Sequence, residues 1–317
     1  MPVSNFNYKA LVCDLDGTLL HAEQEAIAVP GRTRASFLSA DAALLLAKIS
    51  RIFPVVIATG RNAMSVHKLV RQLPDVEFSG FVLENGFVVK HGSYTNNNNS
   101  SSVDINTIDI STIGIGDHGI DDSETGQRET GQRGTAQRGI GQSRIDDSKH
   151  SRNRNAFAQW DKVAELFPDW ERLPFYENCA GFIFSSSKAD SPSNQVDIDS
   201  MAQYAEMILI ENGYNHLVYK EKRKIFIYSG HVDKTRGLAF LGVHPYIAMG
   251  DGSNDLQMMQ ESTLPVMLDS GVNELKKIVT QKKGFCSMQR SHRAACEMLE
   301  FAYAKIKTIR KNQNYLP

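Results

Sequence analysis

"LVCDLDGTLL", residues 11–20, carries an apolar run straight into two aspartates one position apart, with Gly-Thr directly behind them. The run reads as a strand. It is continuous rather than alternating, which suits a parallel sheet covered on both faces. Gly17 lets the chain turn at once after Asp16. Asp14 and Asp16 then stand at the carboxyl end of the strand, where open α/β sheets bind their ligands.

The same rhythm continues downstream. "DAALLLAKISRI" (41–52) reads as a helix, "FPVVIATG" (53–60) as a strand, "NAMSVHKLVRQL" (62–73) as an amphipathic helix and "GFVLENG" (80–86) as a further strand. It returns late in the chain with "HPYIAMGDG" (244–252), a helix from about Asn254, "LPVML" (264–268) and further helices. Strand–helix alternation of this kind implies a Rossmann-like, doubly wound parallel sheet. Between the two halves lies a mixed α+β stretch. "NAFAQWDKVAELF" (155–167) and "MAQYAEMILIENG" (201–213) are helix-like, "CAGFIFSSS" (179–187) is strand-like, and "HLVYK" with "KIFIYSG" (216–230) reads as a hairpin. The resulting division is a core first part over 1–87, an inserted cap over 88–225, and a core second part over 226–317.

Within the inserted part, residues 96–155 differ in character. They hold an Asn run, a Ser run and the imperfect repeat "TGQRE TGQRG TAQRG IGQSR" (125–144), without Phe, Tyr or Trp. Such composition buries too little apolar surface to offset chain entropy, so a disordered insertion is expected. Without it, 257 residues remain, enough for a two-domain enzyme. The Arg-bearing repeat is no RNA-binding track: seven Lys/Arg face six Asp/Glu over 120–155, with no aromatics to stack on bases.

Composition excludes other classes. Lys+Arg (35) balance Asp+Glu (36), so overall charge favours neither nucleic acid nor membrane. No signal-peptide pattern or spanning apolar run occurs, and the four cysteines lack metal-ligand spacing, so a cytoplasmic protein with reduced thiols is expected.

The polar clusters fall at strand ends: Asp14 and Asp16, then Thr59, Gly60 and Arg61, then Asp251, Asn254 and Asp255. Carboxylates converging on one rim repel unless a cation holds them, and hard oxygen ligands suit Mg²⁺. A carboxylate can also attack a phosphoryl group while a second acid manages the proton. Thr59-Gly60 also suits a helix cap, and Arg61 a structural ion pair.

"DLDGT" (14–18), "ATGR" (58–61), Lys234 in "DKTRGLAFL" (233–241) and "GDGSND" (250–255), in that order, resemble the haloacid dehalogenase superfamily of phosphohydrolases. The position of the inserted segment resembles the Cof-type, type II capped branch, and "ENG" (84–86) is similar to sugar-phosphate and mannosyl-3-phosphoglycerate phosphatases. The resemblance implies Asp14 as nucleophile and Asp16 as general acid/base. It implies Mg²⁺ held by Asp14, the Asp16 carbonyl and Asp251, with Asp255 ligating or supporting. Thr59, Gly60 and Asn254 would bind phosphate, Lys234 would neutralise charge, and Arg61 and Asn85 would be possible substrate contacts. The implied activity is hydrolysis of a small phosphorylated metabolite through an aspartyl-phosphate. A phosphotransferase or mutase with the same chemistry, and an idle regulatory protein on the same fold, are the alternatives.

Overall fold

The structure is a computed structural model and describes residues 9–30, 35–91, 106–109, 160–184, 197–221 and 223–313. The chain begins with β1 (Ala10–Cys13), a short hairpin of β2 (Ile27–Val29) and β3 (Ser36–Leu38), α1 (Ala40–Ser50), β4 (Val55–Ala58), α2 (Ala63–Arg71) and β5 (Phe78–Leu83). Then come β6 (Val88–His91), β7 (Asn106–Asp109), a helix α3 over 160–165, β8 (Glu171–Leu173), β9 (Cys179–Ile183), α4 (Ile198–Glu211), β10 (Leu217–Glu221) and β11 (Lys224–Tyr228). The last part holds α5 (Lys234–Phe240), β12 (Tyr246–Met249), α6 (Leu256–Glu261), β13 (Leu264–Leu268), α7 (Asn273–Gln281), β14 (Phe285–Ser287) and α8 (Ser291–Gln313).

Eight strands form the main sheet in the order β14-β13-β12-β1-β4-β5-β6-β7. The first six are parallel, and β6 and β7 add antiparallel at the end. β1, β4, β12 and β13 are buried along their whole length, which explains their uninterrupted apolar sequences. Alternate residues serve opposite faces. Leu11 and Cys13 join a core with α1, α2 and α8, whereas Ala10 and Val12 join one with α5, α6 and α7.

The cap is an antiparallel sheet in the order β10-β11-β9-β8. Ile225 and Ile227 of β11 face α3 and α4, packing with Trp160, Val163 and Leu209. The intervening Phe226 and Tyr228 face the other way, packing with Phe87, Leu173 and Cys179. The period of two therefore leaves an aromatic face turned away from the cap's own helices.

Several expectations need correction. A cap beginning at residue 88 is too early, because β6 pairs with β5 and β7 with β6, extending the core sheet. For the same reason 106–109 are not structureless: their backbone groups complete the edge of β6. The rest of 96–155 lies outside the described residues. The β2–β3 hairpin and β14, three residues per strand, carry too little periodicity to be read from sequence.

Candidate active site

β12, β1, β4 and β5 are neighbours in the sheet and run in parallel. Their carboxyl ends therefore lie side by side, and the residues that follow them meet: Asp251 after β12, Asp14 after β1, Thr59 after β4 and Asn85 after β5. They line a cavity of about 580 Å³ whose far wall is the aromatic face of the cap, with Tyr176, Tyr219 and Phe226.

Asp14 is 4% exposed and Lys234 1%. The Lys234 ammonium donates to Asp14 Oδ1 at 2.7 Å and to Asp255 Oδ1 at 2.6 Å. The Asp233 side chain accepts from the Thr235 N–H and caps α5, which fixes Lys234 in the first turn. Burial pushes the Asp14 carboxyl well above the usual carboxylate range, and the neighbouring Asp255 charge pushes it further, against the pull of Lys234. Burial alone would lower Lys234, but the charges of Asp14 and Asp255 outweigh it and hold the ammonium above its ordinary value.

Asp255 is fully buried, and its oxygens are committed. Oδ1 takes Lys234, and Oδ2 accepts the N–H groups of Asp251 and Gly252, each at 3.0 Å. It shapes the loop that presents Asp251. A Cβ on Gly250 would stand 2.7 Å from the Asp255 Cγ, so the loop closes this tightly only with glycine there. Thr18, which the sequence reading did not single out, donates to Asp251 Oδ1 at 2.9 Å and so ties the "DLDGT" turn to the "GDGSND" loop. Its signal in the sequence is its place directly after Gly17, at the end of "DLDGT".

Asp14, Asp251 and Asp255 each place a carboxylate oxygen within 4.8 Å of the others. Asp16 is neutralised elsewhere. Arg61 Nε and Nη2 donate to its two oxygens at 2.6 and 2.5 Å, a forked pair. Among the described residues Lys234 bridges two of the three clustered carboxylates, and the cluster is rich in negative charge. A divalent cation fits that charge and that oxygen donor set.

Thr59 Oγ1 accepts the Arg61 N–H at 3.2 Å, and Thr59 and Gly60 line the cavity ahead of α2. Arg61 is thus brought to Asp16 as an ion pair. Asn85 is a junction: its N–H donates to Thr59 O, its carbonyl accepts from Asp233 N, its Oδ1 accepts from Asn254 at 3.1 Å and its Nδ2 donates to Tyr228 OH at 3.3 Å. It links the loops after β4 and β12, the start of α5 and the cap.

A family model described as haloacid dehalogenase-like hydrolase matches residues 11–113 and 185–282. No curated protein matches the chain. Among solved structures, a protein of Thermoplasma acidophilum is similar with a TM-score of 0.54 at 13% identity, over 95% of this chain and 98% of that one. A trehalose-6-phosphate phosphatase related protein gives 0.52 at 14% identity, over 93% and 98%. The sucrose-phosphatase of Synechocystis sp. PCC6803, in complex with sucrose and phosphate, gives 0.50 at 13%, over 95% and 98%. At these identities the likeness is one of fold. Among the described residues no helix is long and apolar enough to cross a membrane.

Proposed function

The chain belongs to the haloacid dehalogenase-like hydrolase family, and from that premise we propose that it is a Mg²⁺-dependent phosphatase of small phosphate monoesters, acting through an aspartyl-phosphate on Asp14. The observation that carries this reading is the buried Asp14–Lys234–Asp255 bridge beside Asp251 and Thr59, at the carboxyl edge of the central strands.

An Asp14 oxygen attacks phosphorus, and the bond from phosphorus to the leaving oxygen breaks. That oxygen takes a proton from Asp16. Water then attacks the phosphorus of the aspartyl-phosphate, the bond from phosphorus to the Asp14 oxygen breaks, Asp16 accepts the water proton, and free phosphate leaves. Asp16 starts within the Arg61 fork. The forked pair favours the carboxylate, so the fork must open and Asp16 take up a proton from solvent before it protonates the leaving oxygen; the carboxylate left behind then accepts the proton of the attacking water. Lys234 pulls Asp14 toward its ionised form, against burial and Asp255, and offsets charge on the phosphoryl group, while Thr59, Gly60 and Asn254 surround the phosphate. Asp14, Asp251 and the Asp16 carbonyl would hold the cation, with Asp255 supporting the loop. The bound cation supplies charge compensation for the phosphoryl oxygens.

A cavity of about 580 Å³ is the size of a small-molecule site, and the covering cap favours compact substrates over polymers. Polar groups of the cap wall, Tyr219, Lys220, Glu221 and Lys224, suit a phosphorylated sugar or related metabolite. The sucrose-phosphatase named above is of that kind. The test is phosphate release from a panel of hexose phosphates, nucleotides and phosphopeptides, with and without Mg²⁺ and chelator. Folded Asp14→Asn should lose several orders of magnitude in turnover. Undiminished activity of that variant, or full activity in chelator, refutes the reading.

A further inference from the structure

At the end of β5 three successive residues have left-handed backbones: Glu84 (φ 49°), Asn85 (φ 55°) and Gly86 (φ 110°). Gly adopts this freely and Asn tolerates it, but for Glu it costs about 1 kcal/mol or more and needs a counterpart. The turn sends adjacent side chains in two directions. Asn85 faces the cavity, and Glu84 is buried completely against the cap. Its Oε1 accepts the Glu177 N–H at 2.9 Å and its Oε2 the Asn178 N–H at 2.8 Å.

Those amides belong to the cap loop 174–178, between β8 and β9. The same loop is held at its other end, where Asn62 Nδ2 donates to Pro174 O at 3.0 Å. Between the anchors lies Tyr176. Its ring packs on Phe226, 5.3 Å between centroids, and it lines the cavity together with Asp16 and Arg61. Phe175 beside it is 62% exposed with φ 67°, so the loop is bent into an unfavourable backbone to bring Tyr176 inward.

We propose that Glu84 is a positioning residue: its carboxylate clasps the cap loop 174–178 to the core and thereby seats Tyr176 at the cavity wall, where the tyrosine contacts the leaving group of the substrate. The leaving-group contact rests on the phosphatase reading; the clasp does not. Two N–H donors fit the ionised carboxylate, while burial favours the acid. Burial prevails, and the Glu84 carboxyl is pushed up to about 8. The titratable groups facing it are Glu177 and Tyr176 of the loop, Cys179 of β9, Tyr228 of β11 and Lys90 of β6, which also stands 3.9 Å from Glu177. A proton on either Glu84 oxygen spoils one of the two acceptors, so the clasp tightens as pH rises through that range.

The deciding experiment follows the Glu177 and Asn178 amide resonances of the full chain from pH 6 to 10 by NMR, beside KM and kcat for the best phosphate monoester found. Both amides should shift together with a midpoint near 8, and Glu84→Gln should abolish the shift. That variant presents one amide N–H₂ to a backbone N–H. It should raise KM about tenfold, change kcat little and flatten the dependence of KM on pH. Asn62→Asp keeps the α2 cap acceptor but loses the donor to Pro174; it loosens the same loop and should raise KM too. Amides that do not titrate overturn the clasp. Titrating amides with unchanged KM in both variants overturn the seating of Tyr176. Failure of the wild type to hydrolyse any phosphate ester refutes the phosphatase reading and the leaving-group contact with it, while the amide titration still decides the clasp.

Discussion

Replacing Lys234 by Met tests the charge balance of the site most directly. The side chains are similar in length, so packing changes little, but the ammonium that bridges Asp14 and Asp255 at 2.7 and 2.6 Å is lost. Removing one partner of a buried ion pair costs about 3–5 kcal/mol, because the remaining charge is left uncompensated. Here two carboxylates lose the same partner. Part of the penalty is relieved by protonation of Asp14, whose carboxyl is already pushed up by burial and by Asp255. The expected net loss is therefore about 2–4 kcal/mol, read as a fall in the urea midpoint at unchanged slope. A second effect has the opposite sign. With the ammonium gone, a divalent cation is the counter-charge left to the clustered carboxylates, and because it displaces the Asp14 proton it should stabilise the variant more than the wild type. Turnover should still fall by about 10²–10³, the scale for losing one preorganised charge-stabilising group. A variant that loses less than about 1 kcal/mol and responds to Mg²⁺ like the wild type would refute the charge balance described here.

Further expectations concern the turn, the buried glutamate and the core edge. In Gly17→Ala the new Cβ would stand 2.2 Å from Asp251 Oδ2 on a backbone with φ 93°; a loss of at least about 1–2 kcal/mol and a weakened response to Mg²⁺ are expected, and a thermal melt with and without Mg²⁺ checks both. Glu84 carries a raised folded-state pKa, about 8 against 4.5, so the folded chain holds an extra proton between those values. Its stabilising contribution, complete below the unfolded pKa, is lost as pH rises through the window, by up to about 1.4 kcal/mol per pH unit; denaturation from pH 5 to 8 should show a shallower slope in Glu84→Gln. Deleting 111–154 should leave the melting temperature nearly unchanged, since closure entropy grows slowly with loop length. Deleting 96–155 also removes β7 and its ladder to β6, and should lower the melting temperature measurably.

Much of the core was legible because burial on both faces writes itself into a strand as an unbroken apolar run. β1, β4, β12 and β13 are such runs. A polar residue directly after such a run must lie at the rim of the sheet. Asp14, Thr59 and Asp251 therefore fall at one edge of the sheet on sequence grounds alone. β7 could not be read in the same way. It is an edge strand set in a polar, low-complexity stretch, and its pairing depends on β6 offering unpaired backbone groups rather than on its own side chains.

Sequence by itself determined the class of sheet and the positions of the acids at strand ends, because each follows from local periodicity and backbone geometry. Only the tertiary structure decided the partners. Lys234 bridges Asp14 and Asp255 across 220 and 21 residues, Arg61 takes Asp16 across 45, and Glu84 reaches the cap loop across more than 90. Asn85, read as a possible substrate contact, has its side-chain amide shared between Asn254 and Tyr228. Such pairings are set by which strands lie side by side and how far each turn rotates its side chain. Those distances arise only when the whole chain has packed, and no local pattern of residues encodes them.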